Sequence, residues 1–139
     1  MRAKAFLDTN VLVYALSQDD PRGATAESLL AAGGVVSVQI LNEFVAVTRR
    51  KLGMSWDELN EALDAIRILC PSPVEVSISL HEASLRIAAK YGYGIYDALV
   101  AAAALESGCT TLFTEDMQDR QVIEKQLTIR NPFRVAPQL

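Results

Sequence analysis

The chain has 139 residues, half of them hydrophobic, with a formal net charge of −4 and a pI near 5.0. That size and apolar content suit one domain spanning residues 1–139 with a substantial core, and they argue against disorder. The acidic balance excludes a uniformly basic nucleic-acid coat but leaves room for a local basic patch. Two isolated cysteines, Cys70 and Cys109, and one histidine, His81, are too few for a Cys/His zinc site and read as reduced, mostly buried thiols and a structural or exposed histidine in a cytoplasmic protein. No apolar run approaches a membrane span, and Asp8 cuts the N-terminal "MRAKAFLD" too early for a signal peptide.

The first predicted element is a strand over "AKAFLD", a short apolar run ending in an acid. "TNVLVYAL" follows as a short helix with Thr9 or Asn10 near its cap. "DDPRGATAESLLAAGG" supplies a turn, a helical pattern and a Gly-Gly stop. "VVSV" reads as a second strand. "QILNEFVAVTRRKLG" carries apolar residues at Ile40, Leu41, Phe44, Val45 and Val47, a helical period that ends at Gly53. Ser55 and Glu58 have the spacing of a capping box at the start of "WDELNEALDAIRILC". "PSPVEVSI" predicts a third strand, and "SLHEASLRIAAKYG" a helix with Ser79 and Glu82 as its capping box. "GIYDALVAAAALESG" is a further, almost wholly apolar helix. "TTLFTED" predicts a fourth strand, and "QLTIRNPF" an edge strand closed by Pro132. Strands alternating with helices indicate an α/β domain with a mostly parallel sheet between helical layers, and ligands of such sheets bind beyond the carboxyl ends of the strands.

Among seventeen acids, four stand where ordinary surface acids do not. Asp8 and Asp116 each follow an apolar strand, and either alone could be a helix cap. Glu43 falls beside Val47 on a helical wheel and so does not lie opposite the apolar stripe. Asp97 is the one charge in a helix that has no polar face for its first three turns. It could be a helix-dipole carboxylate, but burying it uncompensated is costly. Converging carboxylates repel one another, and a divalent cation resolves that conflict. Oxygen ligands without histidine suit Mg²⁺ or Mn²⁺, which can activate water and stabilise displacement at phosphorus. No nucleotide-binding loop of the G-x-x-x-x-G-K-[ST] or G-x-G-x-x-G kind competes for the role.

"FLDTNVLVYA", the acid in "QILNEF", "IYDALVAAAA" and "LFTEDMQD", in this order and spacing, resemble the PIN-domain ribonucleases and, more narrowly, the VapC-type toxins of type II toxin–antitoxin pairs. The resemblance runs over nearly the whole chain to the closing "IRNPF". It implies a three-layer α/β/α sandwich, a metal-dependent endoribonuclease, a homodimer and a cognate antitoxin that blocks the site.

By position, Asp8, Glu43, Asp97 and Asp116 match the family's acidic metal-site residues. Thr9 and Asn10 match the polar pair after the first acid, and Thr114 the hydroxyl before the last. The family often has another acid two residues after the last one. Here that place is Gln118, with Asp119 one step later as a supporting candidate, while Glu115 is expected to point away. Arg49, Arg50 and Lys51, two turns beyond Glu43, are the first candidates to bind RNA. Arg22, Arg86, Lys90 and Arg120 follow, and Tyr14, Tyr93 and Tyr96 could stack on a base. Two other readings compete: a catalytically silent RNA- or protein-binding module with the same fold, and a phosphohydrolase using Asp8 as nucleophile. The second lacks a partner lysine at a strand end.

Overall fold

The computed structural model describes residues 4–134. Ala3, with which the first predicted strand begins, lies outside them. β1 (Lys4–Leu7) leads into α1 (Thr9–Ala15), then α2 (Gly23–Ala31) and α3 (Val38–Val47), which continues as a π-helical turn over Thr48–Leu52. α4 (Trp56–Leu69), α5 (Ile78–Tyr91) and α6 (Ile95–Glu106) follow, then β2 (Cys109–Phe113), β3 (Val122–Ile123) and β4 (Leu127–Arg130).

The sheet order is β1-β2-β4-β3, with β1, β2 and β4 parallel and β3 antiparallel to β4. Helices cover it in the three-layer arrangement expected. α6 packs on β2 and β4 with α5 against it, while α1 packs with α2 and α3, and α4 with α2. The alternating strand pattern explains the core: Phe6 and Leu112 are wholly buried, as are Leu127 and Ile129, which flank Thr128 on β4. Ala98, Ala101, Ala103 and Ala104 of α6 are also fully buried, so small side chains let this helix approach the sheet closely.

Four expectations about elements change. "VVSV" and "PSPVEVSI" contribute only isolated parallel bridges, Phe6 to Val35 and Ser37 to Val74. Ser37 is already the N-cap of α3, its hydroxyl accepting from the Ile40 N–H at 3.1 Å, so the first segment has no length to extend. Pro71 and Pro73 remove ladder donors from the second. "QLTIRNPF" is not the edge: β4 lies inside, between β2 and the two-residue β3. Finally, α5 is capped by Ser77, which accepts from the Leu80 N–H, and not by the Ser79–Glu82 pair. The Ser55–Glu58 capping box forms in both directions.

Candidate active site

A cavity of about 650 Å³ opens beyond the carboxyl ends of β1 and β2, and Asp8, Glu43, Asp97 and Asp116 all line it. Sheet register explains half of the arrangement. Leu7 pairs with Phe113, so the residues that follow, Asp8 and Thr114, emerge side by side. The Asp8 N–H donates to the Phe113 carbonyl at 3.1 Å, and the Thr114 hydroxyl donates to Asp8 Oδ2 at 2.7 Å. Thr114 Oγ1 also accepts from the Asp116 N–H at 3.1 Å and from Asn10 Nδ2 at 3.4 Å, so this buried hydroxyl uses its one donor and both acceptor positions.

Asp8 is the N-cap of α1, in place of Thr9 or Asn10. Its Oδ1 accepts from the Thr9 N–H at 2.7 Å. Thr9 Oγ1 in turn donates to Glu43 Oε2 at 2.9 Å, which ties α1 to α3. Gln39, four residues before Glu43 and therefore on the same helix face, approaches Glu43 Oε1 at 3.5 Å. Asn10 Nδ2 donates to Asp116 Oδ2 at 3.2 Å, while its Oδ1 is buried with no partner among the described residues. Asp97 stands in the first turn of α6, whose cap Gly94 provides no side-chain bond.

The acids act on one another. Asp8, only 5% exposed, has its carboxyl raised to about 6, mainly by burial. Hydrogen bonds from Thr114 and Thr9 pull against that rise, and the charges of Asp116 and Glu43 add to it. Asp97 is raised for the same reasons, burial first and then Asp116 and Glu43. As they stand, no three of the described acidic, cysteine or histidine side chains are close enough together to hold one ion. The donor set still fits a hard cation: all ligands are oxygens, and Mg²⁺ ordinarily takes one or two carboxylates and keeps several waters.

The cations divide. Arg50 and Lys51 line the cavity. Arg49 turns away, its guanidinium 4.4 Å from the Trp56 ring centroid and its Nη1 donating to the Met54 carbonyl at 2.8 Å. Gly53, at φ 62°, ends the π turn in a left-handed conformation and brings Met54 back within that reach. Arg22 also lines the cavity, whereas Arg86 and Lys90 border a separate one and Arg120 sits beside Asp119.

Asp119 lies outside the cavity. Its Oδ1 accepts from the Asn131 N–H at 2.8 Å, and its Oδ2 lies 3.4 Å from Arg134 Nη1; the Asn131 hydrogen bond first, and then the Arg134 charge, hold the carboxyl below its usual range. Glu115 reverses its expectation: the chain bends here, so alternation does not apply, and its side chain faces the cavity. Tyr14 and Tyr96 line the cavity too, while the Tyr93 hydroxyl is bonded to Gln121. Gln39, Ser17 and Asp20 are neighbours that no motif marked; only Gln39 carried a signal, its four-residue spacing from Glu43.

A parallel sheet that places acids beyond adjacent strand ends, with helices packed against it, defines an α/β protein with an acidic strand-end site. The PIN domain family model matches residues 5–123, and the chain belongs to that family. A comparison with the curated proteins finds no match. Among solved structures, a toxin–antitoxin complex from Klebsiella pneumoniae is similar at 18% identity and a TM-score of 0.72, covering 95% of this chain and all of the other. The VapC20 toxin of Mycobacterium tuberculosis, described as cleaving the sarcin–ricin loop, is similar at 22% identity and a TM-score of 0.64, over 81% of this chain and 92% of that one. VapBC2 from Rickettsia felis, bound to a promoter DNA fragment, is similar at 21% identity and a TM-score of 0.64, over 91% and 97%.

Proposed function

We propose that this chain is a single-domain, divalent-metal-dependent endoribonuclease, the toxin of a toxin–antitoxin pair, acting in the cytoplasm as a homodimer. The observation that carries the reading is the meeting of Asp8, Glu43, Asp97 and Asp116 in one cavity with Arg50 and Lys51 at its wall. Membership of the PIN family supports it, as do structural relatives described as toxins or as complexes with antitoxins. Mg²⁺ or Mn²⁺ would be held by Asp8, Asp97 and Asp116 with Glu43, directly or through water, and when bound supplies an activated water and charge neutralisation at the phosphate.

The chain's own residues prepare that chemistry. Thr114 and the Thr9 backbone hold Asp8 in one orientation, Thr9 fixes Glu43, and Asn10 fixes Asp116. Arg50 and Lys51 attract the RNA backbone that the acids alone would repel. The test is incubation of the purified chain with total RNA, with Mg²⁺ or with EDTA, followed by mapping of RNA ends. The reading expects discrete new ends only with metal. Intact RNA in both arms would leave a silent binding module, and cleavage in EDTA would remove the metal from the account.

A further inference from the structure

Arg22 stands in the cavity wall in a way that separates it from Arg50 and Lys51. Its Nε and Nη2 donate to the two Asp20 oxygens, each at 2.8 Å, and its Nη1 lies 3.4 Å from Glu115 Oε2. The fork that would take a phosphate is therefore filled by Asp20, and two carboxylates offset the single positive charge. One face of the guanidinium lies over the Tyr14 ring, 3.7 Å from its centroid. Tyr14 is itself fixed, by its hydroxyl bond to Glu115 and by an edge-on contact with Phe133 at 5.1 Å. With its edges bonded and one face over Tyr14, 40% of the Arg22 side chain remains exposed.

Planar cation and aromatic faces stack on unpaired bases, and RNA recognition by splayed-out bases uses both. We propose that Arg22, seated on Tyr14, is a base-stacking platform that takes one unpaired nucleobase of an RNA whose backbone runs past Asp8 and Asp97. This rests on the nuclease reading for the identity of the ligand, and it makes the substrate a single-stranded or looped RNA. Tyr14 does not itself stack on the base, because Arg22 occupies its face. Asp20, its carboxyl lowered to about 2 by Arg22, keeps the platform assembled throughout the physiological range.

The experiment uses the full chain carrying Asp97→Asn, so that RNA stays intact. The probes are single-stranded nonamer RNAs with one 2-aminopurine walked along them, and the same nonamers abasic at each position. Binding is followed by anisotropy and stacking by 2-aminopurine quenching. The platform predicts quenching at one position, abolished by Arg22→Lys, which keeps the charge but not the plane, with affinity about tenfold weaker. Removing the base there should weaken the parent protein by a similar factor and leave Arg22→Lys unchanged. Arg22→Gln, planar but neutral, should retain part of the quench. Tyr96→Ala should leave it intact.

Quenching that survives Arg22→Lys, or is lost instead with Tyr96→Ala, would overturn the platform. So would equal loss with Lys and Gln of duplex and single-strand binding. Circular dichroism of each variant excludes misfolding, with Arg22→Gln carrying the test if Arg22→Lys does not fold. Cleavage by the chain with Asp97 restored is scored separately. An inactive protein that still shows Arg22-dependent quenching would defeat the nuclease reading and not the platform.

Discussion

Asp8 caps α1 and faces the cavity, and the two roles set opposite demands on its charge. Its folded value near 6 exceeds the ordinary 3.8, so folding favours the protonated form. Its contribution to stability is therefore fully present below about pH 4 and lost as pH rises through 6, by about 3 kcal/mol without metal. Asp8→Asn should flatten this part of the pH profile: urea titrations in EDTA at pH 4.5 and 7.5 should differ less for the variant than for the parent. A saturating divalent cation should restore the parent at pH 7.5. Equal pH dependence in both proteins would remove Asp8 as the cause. The cations divide at the same scale. Arg50→Ala with Lys51→Ala should weaken RNA binding and reduce the salt slope by about 1.4, whereas Arg49→Ala, already turned to Trp56, should leave the slope unchanged. Filter binding across a KCl series reads both.

Elements bring these residues together through backbone contacts that composition does not reveal. Gly34 is one such place. A Cβ there would stand 2.9 Å from the Ala5 carbonyl oxygen, in the segment where the Val35 N–H donates to that oxygen and the Val35 carbonyl accepts from the Leu7 N–H. Gly34→Ala should destabilise by about 1–3 kcal/mol in urea unfolding, with the midpoint shifted and the slope kept. Thr114→Val keeps the volume but leaves Asp8 Oδ2 and the Asp116 N–H without their partner. It should reduce cleavage more than it reduces RNA affinity, read as kcat against KM.

Much of this scale was legible: strand ends placed Asp8 and Asp116, helical phase placed Glu43, and an all-apolar helix exposed Asp97 as the exception. Other features were not. The sheet neighbours of β4 depend on long-range pairing, and the short bridges at Val35 and Val74 depend on where Ser37 and the prolines stop the ladder. Sequence leaves Asp119 and Arg49 only as candidates, because their partners, Asn131 with Arg134 and Trp56 with Met54, meet them only through the folded turns. Glu115 faces the cavity because β2 ends at Phe113, so strand alternation no longer sets its direction.

Over the whole molecule, the proposed function asks an acidic chain to bind an anionic polymer. Its negative charge is concentrated in one cavity, where cations can collect, and Arg50 and Lys51 border that cavity. RNA affinity should therefore fall when EDTA removes divalent ions and recover when they return, at constant ionic strength. Affinity that rose in EDTA would contradict a metal-filled cavity. On the proposed function, the four carboxylates act on RNA as one metal-dependent site. The most direct test is the initial rate of RNA cleavage by the parent chain and by Asp97→Asn, side by side in Mn²⁺ or Mg²⁺, with folding checked by circular dichroism. The parent should give discrete cleavage, and a folded Asp97→Asn protein should lose at least about a thousandfold in rate. Full metal-dependent cleavage by Asp97→Asn would contradict the proposed site.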